Sequence, residues 1–286
     1  MKPLWSEVTF RPIGVCFAFF AFVCGVLLTG CALHKTAGTA PDFSLPDAEA
    51  RRAGALALYA KGLLLDSGEG GDTNATKAAA VEAFTQAVRL DPDNRRPLAA
   101  LVSTLADSGR YAAALPALES FLSRHPDDAE LRLEAARMAD AAECPADAAR
   151  HCAVLLAQNP DNRELAQALV RLYFQSGQVA QALAVMRAQE ARFPGDRTSA
   201  ALPVQWAVHF TREGDYPERS LACIGLAIPQ RTNAAERAAL MTLASENQLQ
   251  LGQTNAAVAT LLQAYRENPA ANTALLRLGS IWAAEA

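Results

Sequence analysis

Four prolines stand at a constant interval. Pro92, Pro126, Pro160 and Pro194 are each 34 residues from the next. Each sits in a short polar motif: Asp91-Pro92-Asp93-Asn94, His125-Pro126-Asp127-Asp128, Asn159-Pro160-Asp161-Asn162 and Phe193-Pro194-Gly195-Asp196. Proline has no backbone N–H and drives the residue before it out of the α region, so each rung of this ladder ends a helix. The Asp or Asn that follows is suited to cap the next one. An interval of this size implies stacked supersecondary units, each leaning on its neighbours, rather than one closed core.

Other residues keep the same frame. Twelve positions before a proline stand Ala80, Ala114, Ala148, Ala182 and, for Pro269, Ala257. Eight before it stand Phe84, Leu118, Cys152, Met186 and Leu261, and seventeen before it stand Gly109, Gly177 and Gly252. A small residue lets two helices approach, a bulky one fills the space beside it, and Gly accepts the left-handed turn between them. The period, the Ala, the bulky residue and the Pro resemble the tetratricopeptide repeat, a helix–turn–helix unit. The consensus aromatic positions are mostly Leu, Val or Ala here.

Composition agrees with an all-α chain. Apolar residues make up 51% of the 286, charged residues 20% and aromatics 7%, with no run of period-two alternation; much of the apolar share is Ala, the best helix former. The expected fold is a right-handed α-solenoid of about six helix–turn–helix repeats with a C-terminal capping helix. A net charge of −4 without a long basic block excludes a phosphate-binding stripe and makes nucleic acid a poor partner.

Residues 1–30 read as a targeting segment. Lys2 and Arg11 precede an apolar run from Ile13 to Leu28 that is short for a membrane span. It ends in Leu28-Thr29-Gly30-Cys31, which resembles the bacterial lipoprotein box and implies lipidation of Cys31. Residue 32 is Ala, not the Asp that resembles an inner-membrane retention signal; under that rule the outer membrane is the expected address. Residues 31–46 read as the lipidated N-terminus and a flexible tether, spanning on the order of 20 Å.

The solenoid is expected over 47–286, with repeats at about 47–94, 95–128, 129–162, 163–197, 198–232 and 235–271 and the capping helix at 272–286. The first repeat holds an insertion of 6 residues within Ser67–Asn74, which lacks the ligand alternation of a calcium loop. The fifth repeat reads as degenerate, because Pro217 and Arg219 fall near the position of the small residue.

Little in the sequence points to chemistry. Cys144, Cys152 and Cys223 remain after the signal and Cys31 are set aside. Cys152 and Cys223 are expected at bulky core positions two repeats apart, too far for a disulfide. The four His show no zinc spacing, and no nucleophile elbow, phosphate loop or dinucleotide fingerprint is present. No metal, cofactor or catalytic residue is assigned.

The resemblance places function on the face lined by the first helices. Position nine of each repeat gives Ser103, Arg137, Arg171, Val208 and Glu246, with Arg96, Glu130, Gln167, Phe174, Gln205 and Gln250 as neighbours. From these, Arg96, Arg137, Gln167, Arg171, Phe174 and Gln205 are the candidate peptide-binding residues. Arg137 and Arg171 offer forked donors, and Phe174 an apolar contact. The Lys and Asn of the family's carboxylate clamp are missing from these positions. The implied role is a membrane-tethered scaffold in the bacterial envelope that binds a protein or peptide. An envelope enzyme with a divergent site and an oligomer-forming structural lipoprotein are the rivals.

Overall fold

The computed structural model describes residues 46–67, 74–270 and 272–285. The signal segment, Cys31, nearly all of the tether and most of the insertion lie outside them. Asp47–Ala286 forms one compact unit. Its described residues form six helix pairs and a last single helix: α1 (Asp47–Asp66) with α2 (Asn74–Leu90), α3 (Arg95–Asp107) with α4 (Tyr111–Arg124), α5 (Ala129–Ala141) with α6 (Pro145–Gln158), α7 (Arg163–Gln175) with α8 (Val179–Arg192), α9 (Arg197–Glu213) with α10 (Pro217–Ala227), α11 (Ala234–Gln250) with α12 (Thr254–Glu267), then α13 (Thr273–Glu285). Among the described residues there is no strand. The all-α repeat architecture expected from the ladder is the observed one.

The ladder acts locally, in two ways. His125, Asn159, Phe193 and Asn268, each just before a proline, are the C-caps of α4, α6, α8 and α12. The residue two after the proline caps the next helix. Asn94, Asp128, Asn162 and Asp196 accept backbone N–H bonds from Arg96, Leu131, Leu165 and Ser199, at 2.9–3.2 Å. One proline-centred motif therefore closes one helix and opens another, which fixes where each repeat begins.

Charged pairs then tie neighbouring repeats. Arg124 Nε donates to Asp93 at 3.0 Å, Arg163 Nη1 to Asp196 at 3.1 Å, and Arg192 pairs with Asp161. Each pair spans 31 or 33 residues, so the same acid-and-base arrangement is reused along the stack. These pairs are partly exposed and contribute modestly, mainly to register.

The fifth repeat corrects the sequence reading. α10 has 11 residues where α4, α6, α8 and α12 have 14, so a frame counted back from Pro229 slips by three there. Counted from the start of its own helix, the fourth residue of α10 is Ser220, as Ala114, Ala148, Ala182 and Ala257 are in theirs. All five are fully buried. The serine hydroxyl is satisfied: Ser220 Oγ donates to the Ala207 carbonyl at 2.9 Å and lies 2.9 Å from Thr211 Oγ1, which accepts from buried Asn247 at 2.8 Å. That chain links α9, α10 and α11. The bulky position, expected at Cys223, belongs to Ile224, one residue on; both are buried. Repeat five is a complete helix pair read in a shifted frame.

A second departure sits in the third repeat. Gly109, Gly177, Gly214 and Gly252 turn the chain with φ of +67° to +77°, and Glu143 does the same work at φ 57°. A Cβ in this left-handed region is strained, and Glu143 is the described non-glycine residue that adopts it. Glu143→Gly is expected to raise stability by about 1 kcal/mol, measured by chemical denaturation. A loss of stability would show that the Glu side chain makes a compensating contact.

Candidate peptide-binding clefts

Clefts open between neighbouring first helices among α3, α5, α7, α9 and α11. Arg95, Ser103, Glu130 and Arg137 line one of about 370 Å³ between α3 and α5. Gln167, Arg171, Gln205 and Trp206 line one of about 480 Å³ between α7 and α9. Val204, Val208, Glu236 and Leu243 line one of about 440 Å³ between α9 and α11.

The α7/α9 cleft brings together three of the candidate residues, Gln167, Arg171 and Gln205. Gln167 and Gln205 are exposed, and neither side chain has a hydrogen-bond partner within the protein. Each amide therefore offers a donor and an acceptor to a peptide backbone. Arg171 is held in place from the preceding repeat: Nη1 and Nη2 donate to the two carboxylate oxygens of Asp140 at 3.1 and 2.7 Å, and Nη1 also donates to Gln175 at 3.0 Å. The paired carboxylate offsets its charge and orients the fork, leaving Nε–H and one Nη2 proton free.

Aromatic rings form the wall. Trp206 packs at a tilt with its ring centroid 4.8 Å from Phe174 and 5.4 Å from Phe210, with His209 edge-on at 5.3 Å. Behind them, Arg219 lies 4.1 Å over Tyr216 and donates to the Phe174 carbonyl at 3.1 Å. Packing fixes Trp206 while leaving part of its ring open to the cleft, which suits an apolar or cationic side chain. Glu164, Leu202, Trp206 and His209 were not singled out from the sequence. Leu202, Gln205, Trp206 and His209 fall on one stripe of α9 at helical spacing, a legible signal once α9 is known to be a first helix.

Two candidates move. Phe174 is 2% exposed, so it is a core residue and not a groove contact. Helical spacing puts it on the same side of α7 as Gln167, but Trp206 and Phe210 of α9 cover that end. Arg96 is exposed yet lines none of these clefts; its neighbour Arg95 does, paired with Glu130 at 2.8 Å. One residue is about 100° of helix rotation. Arg137 and Arg171 are also in different clefts, and Arg137 pairs with Glu134 at 3.6 Å. They do not form one double-arginine grip.

Outside the clefts, burial raises the pKa of the Cys152 thiol. Cys144, Cys152 and Cys223 are free, and burial pushes Cys223 up to about 12. One buried base does bear on stability. His151 is fully buried, with Nε2 3.0 Å from Glu119 Oε1 and Nδ1 without a partner. Burial lowers its pKa against the pull of Glu119, and Arg150 and Arg132 lower it further. A base whose folded pKa is depressed binds fewer protons when folded. Its contribution is whole above about pH 6.5 and is lost as pH falls toward the folded pKa. The chain is expected to be less stable at pH 5.5 than at 7.5 in denaturant titrations, with that difference reduced in His151→Gln. An equal difference in both would place the effect elsewhere.

Comparison with known proteins agrees with the repeat geometry. Profiles of the tetratricopeptide repeat match residues 95–138, 141–202 and 243–285, together about half of the chain. The chain is a tetratricopeptide-repeat protein. Among solved structures, Naa15/Naa10 bound to HypK-THB is similar at 16% identity and TM-score 0.52, covering 77% of this chain and 32% of that one. This chain thus spans about a third of the length it is compared with. A tetratricopeptide repeat protein from Parabacteroides merdae is similar at 17% identity and TM-score 0.38, covering 82% and 87%. YrrB, a repeat protein described with an unusual peptide-binding site, is similar at 17% identity and TM-score 0.34, covering 70% and 99%. No curated protein sequence matches.

Proposed function

We propose that this protein is a lipid-anchored scaffold of the bacterial envelope, held to the outer membrane through Cys31, that captures an extended segment of a partner protein between α7 and α9. The observation that carries the binding half is the α7/α9 cleft: two unpartnered amides, a fixed arginine fork and a half-open tryptophan on rigid helices. Amides suit a backbone, which every peptide has, and the tryptophan suits one side chain. A rigid cleft of this kind costs little ordering on binding. The anchoring half rests on Leu28-Thr29-Gly30-Cys31.

Both halves have a direct test. Cys31→Ala is expected to abolish lipid labelling and to leave the precursor uncut at that site. Labelled, processed Cys31→Ala protein would remove the anchor from the account. Arg171→Ala combined with Gln205→Ala is expected to lose partner capture from membranes while keeping its helical circular dichroism. Undiminished capture by that folded variant would move the binding surface elsewhere.

A further inference from the structure

A further cleft opens on the side of the second helices. About 500 Å³ opens between the second helices α2 and α4 of the first two repeats. Its floor is apolar: Val81, Val88, Leu101, Leu105, Pro116 and Ala117. Leu101 and Leu105 are core residues, so the slot reaches down to the repeat interior.

Charge sits at its two ends. Arg124 donates to the Pro92 carbonyl and to Asp93, so the C-terminal ends of α2 and α4 adjoin. Arg89, in the last turn of α2, therefore lies at that end, while Arg110, the N-cap of α4, lies at the other. The Arg89 and Arg110 side chains are exposed and make no hydrogen bond or ion pair among the described residues. Arg124 is occupied by Asp93, Pro92 and Ser120, and the rim acid Glu82 accepts from Gln86 at 2.8 Å. Two uncompensated cations in a chain of net charge −4 flank an apolar strip about 12 Å long, eight helical residues from Val81 to Arg89.

We infer that this slot is a second docking site, separate from the α7/α9 cleft, for an acidic amphipathic helix of a partner protein. The partner helix would place apolar side chains at i, i+3/i+4 and i+7 on the strip and one carboxylate near each end. Charge at both ends favours this over a fatty acid, whose single headgroup answers one arginine. The slot lies between two helices of similar direction, and a third helix packs into such a groove at ordinary interaxial spacing.

The test uses the full chain and a fluorescein-labelled synthetic helix of about 16 residues. The helix carries a Leu stripe and a Glu in its first and last turns; its counterpart carries Lys in place of both Glu. Anisotropy is expected to saturate with the Glu helix and not with the Lys helix. Arg89→Glu with Arg110→Glu should weaken binding at least about tenfold. Ala113→Trp, at an exposed position on the slot, should block it without changing charge. Circular dichroism checks that both variants fold. Absence of Glu-helix binding, equal binding of the Lys helix, unchanged binding by either folded variant, or displacement of the Glu helix by dodecanoate would each overturn the inference.

Discussion

Phe174→Ala is expected to destabilise the protein by about 3–5 kcal/mol, as truncation of a fully packed phenylalanine does. The ring is 2% exposed and sits between Trp206 at 4.8 Å and Phe210 at 4.9 Å. It joins the end of α7 to α9 and so carries the junction between the fourth and fifth repeats. Its removal leaves a void that the flanking aromatics cannot fill without leaving their own contacts. Trp206 then loses its backing, so the cleft should weaken as a consequence of lost packing. Denaturant titration followed by Trp fluorescence measures both. A folded Phe174→Ala with unchanged stability would return Phe174 to the groove and contradict the packing described here.

Gly62→Ala should cost about 1–3 kcal/mol, although Ala is ordinarily the better helix former. A Cβ on Gly62 would stand 2.4 Å from Phe84 Cε1, 2.6 Å from Cδ1 and 2.9 Å from Cζ. Phe84 is itself fully buried, against Tyr59 with ring centroids 6.0 Å apart. The ring has nowhere to swing, so α1 must move off α2. An exposed helical glycine would gain about 1 kcal/mol from the same change, so the sign alone is informative. A raised melting temperature would mean that the α1/α2 contact is looser than the geometry states.

Much of the fold is legible because its determinants are local. A proline stops a helix whatever lies around it, and an Asn or Asp two residues later caps the next. Spacing then counts the repeats. The frame fails where a second helix is cut short: α10 is three residues shorter than α4, α6, α8 and α12, and Ser220 stands where those helices have Ala. A glycine-only search of turn positions likewise misses Glu143, because nothing in the sequence states that a φ of 57° is required there.

The site was legible only by helix. First-helix positions led to Gln167, Arg171 and Gln205, which share one cleft. The same pattern chose Phe174, because spacing along α7 says which way a residue points but not that α9 covers it. It chose Arg96 over Arg95 because an error of one residue turns the side chain by about 100°. Trp206 and His209 required knowing which helix lies opposite α7. Cys31 and its lipid rest on the sequence motif.

We propose above that the α7/α9 cleft receives a partner segment. Replacing Gln205 by a photo-reactive phenylalanine in cells tests it most directly, with the same replacement at exposed Arg187 on α8 as the control. Illumination is expected to give one discrete protein adduct from position 205, lost on adding Arg171→Ala, and none from position 187. No adduct from 205, or the same adduct from both positions, would contradict the claim.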